Sequence, residues 1–427
     1  MHYFIYPNKD AYITENSPTH VKQYADSTSK NFGGDEILEL KKEFTNSYAT
    51  SSHNTSRILL QFDYSNVSTL VSDGTITNPR YYLRLYEVEG QSDLSDNYTV
   101  AAYPLSQSWI EGSGKKFDVP NITDGVSWLN SSTNNPWVME NLIGNPLTFG
   151  SNNNQFNVEY DTFGNVIASN VTFASYYSEF DSANHTFNTA ASASGDFKES
   201  GSRSTGGGVW YMDDGFEASQ SFINETPDIE MDVTDIVTKH INGTLPNNGL
   251  LLKFSGSYES DTSTPNLKFF SRDTHTIYSP KLEIRWDDSN YVNPLSTTLN
   301  YLTMSGELKN HIFIKGLQKS YRESEKVRFR IGCRKKYVQK TFTESMLTSS
   351  FYVPNGSGSY SIRDVATDTE IVPFSSYTSM SADTTSMYFD QYFNTFEPGR
   401  YYKILFKLRY NDGQEEIIDN NEEFKIV

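Results

Sequence analysis

The first 290 residues consist largely of short segments in which apolar and polar residues alternate or apolar residues run together. Alternation with a period of two places one set of side chains on each face of a β-strand, and a continuous apolar run is typical of a strand buried on both faces. The pattern predicts strands in four clear segments, "EILEL", "SRILLQFDY", "RYYLRLYEVEG" and "YTVAAYPL". Polar residues and glycines separate these segments and favour turns.

One segment departs from this pattern, since residues 231–240 place their apolar side chains on one face of a short helix. An oxygen side chain of Asp232 or Thr234 is expected to cap its first turn, and Gly243 with Pro246 is expected to end it. An Asn-Asn-Gly turn then leads into "LLLKF", which is predicted to be a core strand. The residues that share the helical face are Met231, Val233, Ile236, Val237 and His240.

Between about residue 130 and residue 208 the chain is rich in small polar residues, as in "NSSTNN" and "TAASASGDFKESGSRSTGGG". Because β scaffolds accept extra material in their loops, we expect a long insertion that projects from a core sheet. The run Gly206-Gly207-Gly208 is predicted to be a flexible turn, because no helix follows it to hold a phosphate. The insertion belongs to a predicted first domain of residues 1–290.

Residues 295–427 form a predicted second domain with seven or so short strands at regular spacing. Segments such as "KVRFRIGCRKK" and "TSMYFDQYF" give the pattern of an immunoglobulin-like β-sandwich, although the Cys…Trp…Cys core of antibody domains is absent. Asn411-Asp412-Gly413 predicts a tight hairpin between "YKILFKLRY" and "EEII".

Composition agrees with an all-β interpretation. Of the 427 residues only 36% are hydrophobic, yet 14% are aromatic, which suits half-buried sheet faces better than a helical bundle. Cys333 is the single cysteine, so no disulfide forms within the chain, as is typical of proteins assembled in a reducing compartment. The predicted fold is therefore all-β, with a jelly-roll-like β-sandwich that carries the insertion and a C-terminal immunoglobulin-like β-sandwich.

The net charge of −18 disfavours binding to nucleic acid and to anionic membranes. No apolar run approaches the roughly 20 residues that a membrane-spanning helix needs. The start of the chain, "MHYFIYP", has neither the basic residues nor the apolar core of a secretory signal. We therefore expect a protein made in the cytoplasm, with no nucleic-acid partner and no membrane partner.

Four segments of the first domain follow one another in a recognisable order: "DAYITE" with "NFGGDEILEL", then "SRILLQFDYS", then "SQSWIEG" with "DGVSWLN", and finally "MDVTDIVTKHINGTLPNNGLLLKF" with "SPKLEIRW". This ordered set resembles a DNRLRE-type domain, also described as a TGF-β-propeptide-like β-sandwich. The resemblance implies a jelly-roll-like sandwich that a helix of one or two turns closes at one end. The matching positions include Asp10, Asn31, Gly33, Arg57, Phe62, Trp109, Glu111, Gly112, Gly125, Val126, Trp128, Asp232, Val237, Asn247, Gly249, Phe269 and Leu282.

Members of that family on bacterial surfaces carry a secretory signal, whereas surface-type β modules made in the cytosol are usual in tailed-phage structural proteins. The second domain, which ends in "NEEFKIV", also resembles C-terminal domains of virion proteins from T4-like phages of marine bacteria. Together the resemblances imply a non-enzymatic structural protein of the virion, on the tail, baseplate, fibre or neck. The implied partners are other virion structural proteins, in an oligomeric particle assembled in the host cytoplasm.

No local motif predicts catalysis, a cofactor or a metal centre. The seven histidines form no HExxH or HxH pair, and the chain has no GxSxG, Walker A or GxGxxG motif in a suitable context. Calcium requires six or more oxygen ligands, which the turn Asn411-Asp412-Gly413 supplies only in part. A polysaccharide-degrading enzyme, which needs two carboxylates across a cleft, is kept as a second alternative function.

Aromatic residues in the insertion suggest a first alternative, a glycan-binding adhesin for the host surface. Trp210, next to glycines, is predicted to be an exposed ring, and with Tyr211, Tyr176 and Tyr177 it forms a candidate glycan platform. Trp109 and Trp128 occupy motif positions of the resembling fold, which implies that they pack in the core.

A local cluster of cations is the second candidate site. Arg328, Arg330, Arg334, Lys335 and Lys336 form a candidate docking patch for an acidic partner or an anionic glycan. In a strand, Arg328 and Arg330 share one face, opposite Phe329 and Ile331. The simpler interpretation of the same pattern is a solvated face without a partner.

Overall fold

The computed structural model of the chain describes residues 1–15, 27–47, 50–88, 97–137, 139–140, 146–147, 158–160, 166–169, 179–181, 186–188, 199–202, 206–211, 215–223, 228–255, 259, 266–292, 300–305, 310–337, 351–394 and 396–427. These residues hold two α-helices, α1 (Ser65–Ser72) and α2 (Thr234–Ile241), and many short strands. The all-β prediction is confirmed. The prediction for Tyr176 and Tyr177 lies outside the described residues.

The strands of the first 290 residues are β1 (His2–Ile5), β2 (Pro7–Thr14), β3 (Ile37–Ser47), β4 (Thr50–Phe62), β5 (Arg80–Leu85), β6 (Asn97–Pro104), β7 (Asn130–Ser132), β8 (Asn135–Pro136), β9 (Met139–Glu140), β10 (Pro146–Leu147), β11 (Val158–Tyr160), β12 (Val166–Ser169), β13 (Glu179–Asp181), β14 (Thr186–Asn188), β15 (Glu199–Ser202), β16 (Gly206–Tyr211), β17 (Ala218–Ile223), β18 (Ile229–Asp232), β19 (Leu250–Phe254), β20 (Asn266–Phe270) and β21 (Lys281–Arg285). The remaining strands are β22 (Asn300–Tyr301), β23 (Asn310–Lys315), β24 (Ser320–Tyr321), β25 (Lys326–Lys335), β26 (Phe351–Tyr352), β27 (Gly358–Asp364), β28 (Glu370–Val372), β29 (Ser381–Ala382), β30 (Met387–Tyr392), β31 (Tyr401–Arg409) and β32 (Glu415–Ile426).

The chain divides into two compact units. The first, which we call the seven-stranded unit, comprises Tyr6–Ser68 and Tyr81–Leu282. The second, which we call the C-terminal unit, comprises Met1–Ile5, Thr69–Arg80 and Glu283–Val427. Two short segments from early in the sequence therefore belong to the same unit as the last third of the chain.

An antiparallel sheet with the strand order β17-β6-β19-β4-β3-β20 is the centre of the seven-stranded unit, and β2 pairs with β4 beside it. Leu251 lies opposite Leu59 on one side and Tyr103 on the other, so these three side chains share one face. Ala11, opposite Leu59, extends this row. Four tryptophans cover the face and complete a buried cluster: Trp109, Trp128, Trp137 and Trp210.

Helix α2 confirms the predicted helix, which begins later than expected, at Thr234; Met231 lies in β18 instead, and Val233 is the N-cap residue. Its apolar face is buried at Ile236, Val237 and His240, which follows from their i, i+1, i+4 spacing. The carboxylate of Asp232 accepts a hydrogen bond from the backbone N–H of Thr234 at 3.0 Å. Asp232 thereby satisfies an N–H group at the start of the helix, as predicted, although Val233 occupies the N-cap position itself.

Two sheets enclose the core of the C-terminal unit, with the strand orders β23-β25-β30-β29 and β24-β32-β31-β27-β28; all neighbours are antiparallel except β24 and β32, which are parallel. Tyr360 of one sheet stacks on Phe389 of the other with ring centroids 3.9 Å apart, and Phe389 also stacks on Phe329. Stacked and edge-to-face aromatic pairs add to the hydrophobic gain of burial. The hairpin predicted at Asn411-Asp412-Gly413 joins β31 and β32, with Gly413 at a positive φ of 85°.

Each unit seals an open strand edge with amide or carboxylate side chains. In the seven-stranded unit, Gln220 accepts a hydrogen bond from the N–H of Glu230 at 2.8 Å and donates to the carbonyl of Asp228 at 3.3 Å. In the C-terminal unit, Asn420 donates to the carbonyl of Ile312 at 2.5 Å, and Glu422 accepts from the N–H of Ile314 at 2.7 Å. These bonds occupy backbone groups that otherwise invite another strand.

A β-bulge in β32 directs the side chains of Asn420 and Glu422 towards the edge of β23. Leu405 pairs with Asp419 but the preceding residue, Ile404, pairs with Glu422, so Asn420 and Asn421 are extra residues in β32. Asn421 adopts a positive φ of 53°, a conformation that asparagine tolerates better than most residues. Bulges re-aim side chains in this way at sheet edges.

Candidate functional site

Trp210, predicted to be an exposed glycan-stacking ring, is only 6% exposed, and that prediction is wrong. It lies in β16, which packs on the seven-stranded sheet. The indole contacts Tyr103, with ring centroids 5.9 Å apart, and the ammonium of Lys253 lies 5.4 Å from its centre. Tyr211 is half-buried and lies edge-on to Phe216. The described part of the predicted platform therefore offers no open aromatic face.

The glycine run before Trp210 explains this burial. Gly206, Gly207 and Gly208 belong to a buried strand instead of the predicted flexible turn, and all three have positive φ. A Cβ on Gly207 would lie 2.5 Å from Nη1 of Arg57. Glycine is needed here because the backbone approaches the sheet too closely for any side chain. The run thus holds β16 against the sheet and buries the tryptophan that follows.

Beneath the glycine run, the guanidinium of Arg57 lies between two indole rings, 5.0 Å from the centre of Trp128 and 5.1 Å from that of Trp210. Its Nη1 donates to the carbonyl of Gly207 at 2.5 Å, and its Nε donates to Oε1 of Glu259 at 2.8 Å. Planar guanidinium groups stack on aromatic faces in this manner. Trp109 and Trp128 are buried, which confirms the expectation that they pack in the core.

Glu259 is shared by two cations, since Lys253 also forms an ion pair with it. Burial alone would raise the pKa of the Glu259 carboxyl, but the charges of Arg57 and Lys253 outweigh it and lower that pKa to about 2. The group is therefore a closed cluster within a core, in which one carboxylate is shared by two cations. Its chemistry fits the stabilisation of the fold better than the binding of a ligand.

The residues that carry the family resemblance converge at a second buried point. The side chain of Asn31 donates to the carbonyls of Glu111 and Val126 at 2.6 and 2.8 Å, and its oxygen accepts from the N–H of Gly114 at 2.8 Å. All polar atoms of this amide are thus satisfied, as the burial of Asn31 requires. The motif residues at this point organise loops, which is a structural role.

A series of polar groups in the C-terminal unit, two buried and one half-buried, has the order of a nucleophilic triad. His2 Nδ1 lies 2.5 Å from Oε1 of Glu283, and His2 Nε2 lies 3.4 Å from Oγ of Ser375. Glu283 also accepts from Arg285 at 2.8 Å. His2 is fully buried, and Ser375 Oγ already accepts from the N–H of Tyr377 as the cap of a short 3-10 helix. We therefore infer that these three side chains join β1 to the rest of its unit.

The outer face of the β23-β25-β30-β29 sheet, which we call the basic face, carries Arg328, Arg330 and Arg334 of the candidate docking patch. Lys335 alternates to the side of Phe329 and Ile331, and Lys336 lies beyond β25, so the structure does not bring all five predicted cations together. Between the cations of the basic face, Phe329 and Ile331 point into the core, so the prediction that Arg328 and Arg330 share the opposite face is confirmed. The residues of the basic face are Lys315 on β23 and Lys326, Arg328, Arg330 and Arg334 on β25.

At one end of the basic face, two arginines hold a tyrosine between them. The guanidinium groups of Arg328 and Arg330 lie 4.1 and 5.3 Å from the ring centre of Tyr388. Arg328 forms two hydrogen bonds with Asp390, at 2.7 and 2.9 Å, and Arg330 donates to Asp383 at 2.6 Å. The bonds from Asp390 raise the pKa of the Arg328 guanidinium. This end is fixed in geometry but nearly balanced in charge.

The other end of the basic face, which begins beside Arg330 and extends to Arg334, has more positive charge than its neighbours balance. Lys315 lies directly opposite Arg330, and Arg334 directly opposite His311. Within the part of the chain that the structure describes, no ion pair involves Lys315 or Arg334. Burial, followed by the charges of Arg334 and Lys336, lowers the pKa of His311. The positive field is therefore concentrated at this end.

An apolar patch lies inside the positive end. The ring of Phe313 covers Gly332 on the neighbouring strand, and any side chain at Gly332 would overlap that ring. Tyr337, just beyond the strand, is 73% exposed. Of the other predicted patch residues, Lys336 is exposed and Lys335 is half-buried. Sequence reasoning missed Lys315, Phe313 and Tyr388, because cross-strand register cannot be read from one strand alone.

The described residues contain no group of three or more His, Cys, Asp or Glu side chains arranged to hold a metal ion. None of the helices among them is long and apolar enough to cross a membrane. No protein-family model matches the chain, and no curated protein matches it in sequence.

Proposed function

We propose that the protein is a non-enzymatic structural subunit of a tailed-phage virion and that it docks to neighbouring subunits through the basic face. The observation that carries the docking is the composition of that face. Five cations surround Tyr388 and Phe313 on one face of a sheet in a protein whose net charge is −18. The virion part of the proposal rests on the resemblances of the two sequence halves to a DNRLRE-type domain and to virion proteins.

The side chains of the basic face are those that protein interfaces favour. Arginine, tyrosine and phenylalanine are enriched at interfaces, and arginine and tyrosine are frequent where single residues dominate the binding energy. Tyr388 is itself buried beneath Arg328 and Arg330 and, with their carboxylate partners, holds the two guanidinium groups in place, so little conformational entropy is lost on docking. The exposed cations at the other end supply long-range attraction to an acidic partner.

Quantitative mass spectrometry of gradient-purified particles tests the virion assignment. We expect the chain to be present at a reproducible ratio to the major capsid protein and to be enriched over the infected-cell lysate. A chain that remains in the lysate and is absent from purified particles contradicts the assignment.

Cross-linking of intact particles with a lysine-reactive reagent tests the docking face. Lys315, Lys326 and Lys336 are expected to cross-link to other subunits. Lys403 and Lys407 serve as matched controls, because they lie on the other sheet and form ion pairs with Asp368 and Glu415. Cross-links from the controls with none from the basic face would place the contact elsewhere.

A further inference from the structure

The negative charge of the protein is unevenly distributed along its sequence. Residues 295–427 hold 17 of the 35 Lys and Arg residues and 16 of the 53 Asp and Glu residues. This segment is therefore close to neutral, and residues 1–294 carry essentially all of the negative charge. A molecule with a basic face at one end of its sequence and a strongly acidic remainder is complementary to other copies of itself.

The acidic part contains a regular row of carboxylates, which we call the acidic ridge. Strand β18 alternates buried and exposed residues, so Glu230 and Asp232 project to the outside while Ile229 and Met231 are buried. The exposed Asp228 precedes the strand, and the exposed Asp235 lies in the first turn of α2. The acidic ridge consists of Asp228, Glu230, Asp232 and Asp235.

The acidic ridge and the basic face match in spacing as well as in sign. Alternate residues of a strand lie about 7 Å apart. Asp228, Glu230 and Asp232 follow that spacing on one side, and Lys326, Arg328 and Arg330 follow it on the other. Opposite charges at equal intervals can pair in register when β18 of one copy lies along the outer face of β25 in another.

Charged side chains of the ridge and of the face already form ion pairs within the chain, but these pairs leave the side chains partly exposed and able to contact another copy. Glu230 contacts Arg84 at 3.3 Å, yet its side chain is 49% exposed. Arg328 is 47% exposed despite its bond to Asp390. The positive end of the face, at Lys315 and Arg334, adds cations that no ion pair among the described residues balances. Exposed pairs of this kind can be exchanged at an interface at little cost.

We propose that the basic face binds the acidic ridge of a second copy of this chain, so that copies join head to tail. This inference rests on the proposed function, in which the same face docks to a neighbour, and it names that neighbour. Such a contact uses two different surfaces, and every added copy therefore presents one free face and one free ridge. Copies joined in this way form rings or open chains, the arrangements from which tubular and ring-shaped particles are built.

Sedimentation velocity of the full chain at low and high salt tests the proposal. The weight-average mass is expected to rise with concentration above the 48.5 kDa monomer at low salt. It should return to the monomer value in about 1 M salt, where the screening length falls to about 3 Å. A monomer at every concentration in low salt overturns the proposal.

Two charge-reversed variants locate the contact. Lys315→Glu with Arg334→Glu reverses the face without disturbing Asp390 or Asp383, and Glu230→Lys with Asp232→Lys reverses the ridge. Each variant alone is expected to associate at least about tenfold more weakly than the wild type, and a 1:1 mixture of the two should regain the association. The recovery in the mixture separates a lost contact from a misfolded variant.

Lys319→Glu with Arg322→Glu is the matched control, since it changes the net charge equally but alters exposed residues outside the basic face. It should associate like the wild type. Association that survives reversal of the face, or that is lost equally in the control, overturns the proposal. A chain found in virions that is nevertheless monomeric contradicts self-docking alone and leaves the proposed virion role intact.

Discussion

The imidazole of His240 stacks on the phenol ring of Tyr64, with ring centroids 5.8 Å apart and planes inclined by 26°. Neither imidazole nitrogen has a hydrogen-bond partner among the described residues, and the ring is buried. Burial lowers the pKa of His240 from 6.5 to about 4. The neutral ring is thus part of the folded state, and protonation opposes folding.

Acid should therefore destabilise the protein through His240. Because the folded pKa is the lower one, stability is complete above about pH 6.5, falls as the pH drops through 6.5, and levels off near pH 4. The loss attributable to this group is at most about 3 kcal/mol. His240→Phe keeps the stack and removes the titration, so its urea-unfolding midpoint should fall less over this range than that of the wild type.

The exposed His275 provides the control for that measurement. His275→Phe should reproduce the wild-type pH profile. If His240→Phe loses as much stability as the wild type between pH 6.5 and pH 4, His240 is not the group responsible.

Replacement of Gly207 by alanine should destabilise the seven-stranded unit strongly. The new Cβ would lie 2.5 Å from the Arg57 guanidinium, and φ is +93°. Overpacking costs about 1–3 kcal/mol and the left-handed backbone about 1–2 kcal/mol more. Gly243→Ala, at φ +76° with no atom of the described residues within 4 Å, should cost only the backbone part. Thermal unfolding of both variants measures the difference, and equal losses would disprove the close approach of β16.

Neutralising Glu259 should be costly because two buried cations depend on it. Glu259→Gln is expected to lower the free energy of unfolding by about 3–5 kcal/mol, as when one partner of a buried ion pair is removed. The folded pKa of about 2 lies below the ordinary 4.5, so this stabilisation is present above pH 4.5 and is lost as the pH falls towards 2.

Chemical denaturation at neutral pH checks the value for Glu259→Gln. Glu230→Gln is the comparison, since Glu230 pairs with Arg84 at an exposed site and should cost less than about 1 kcal/mol. Similar costs for the two variants would show that the Arg57 cluster is solvated.

The bond from Glu422 to the β23 edge gives a further prediction. Glu422→Leu leaves the N–H of Ile314 without its acceptor, which should cost about 1–3 kcal/mol. Glu422→Gln retains an acceptor and should preserve most of the stability. Guanidinium titration of the two variants distinguishes them, and a Gln variant as unstable as the Leu variant would show that charge, not the edge bond, matters.

Local patterns predicted local structure well. The i, i+1, i+4 spacing of Ile236, Val237 and His240 indicates α2, and alternation indicates which side of β25 carries Arg328 and Arg330. Both signals come from residues that are close in sequence, where the period of the element decides which side chains are buried.

Contacts between residues that are far apart in the sequence could not be predicted from it. Asp390 lies 62 residues from Arg328, and nothing in either segment shows that β25 and β30 are neighbours. The glycines before Trp210 suggested an open loop, because a flexible turn and a close backbone approach have the same composition. Only the position of Arg57 and Trp128 beneath Gly207 distinguishes the two.

The two extra residues in β32 also make that strand sensitive to length. Side chains alternate from one side of a strand to the other, so the loss of a single residue between Asp419 and Glu422 would turn the carboxylate away from Ile314. The bare backbone of β23 would then be free to pair with any extended peptide. The side chains of this segment are mostly polar and partly exposed, which would ordinarily indicate tolerance of both kinds of change. Here, however, deletions should be tolerated far less readily than substitutions.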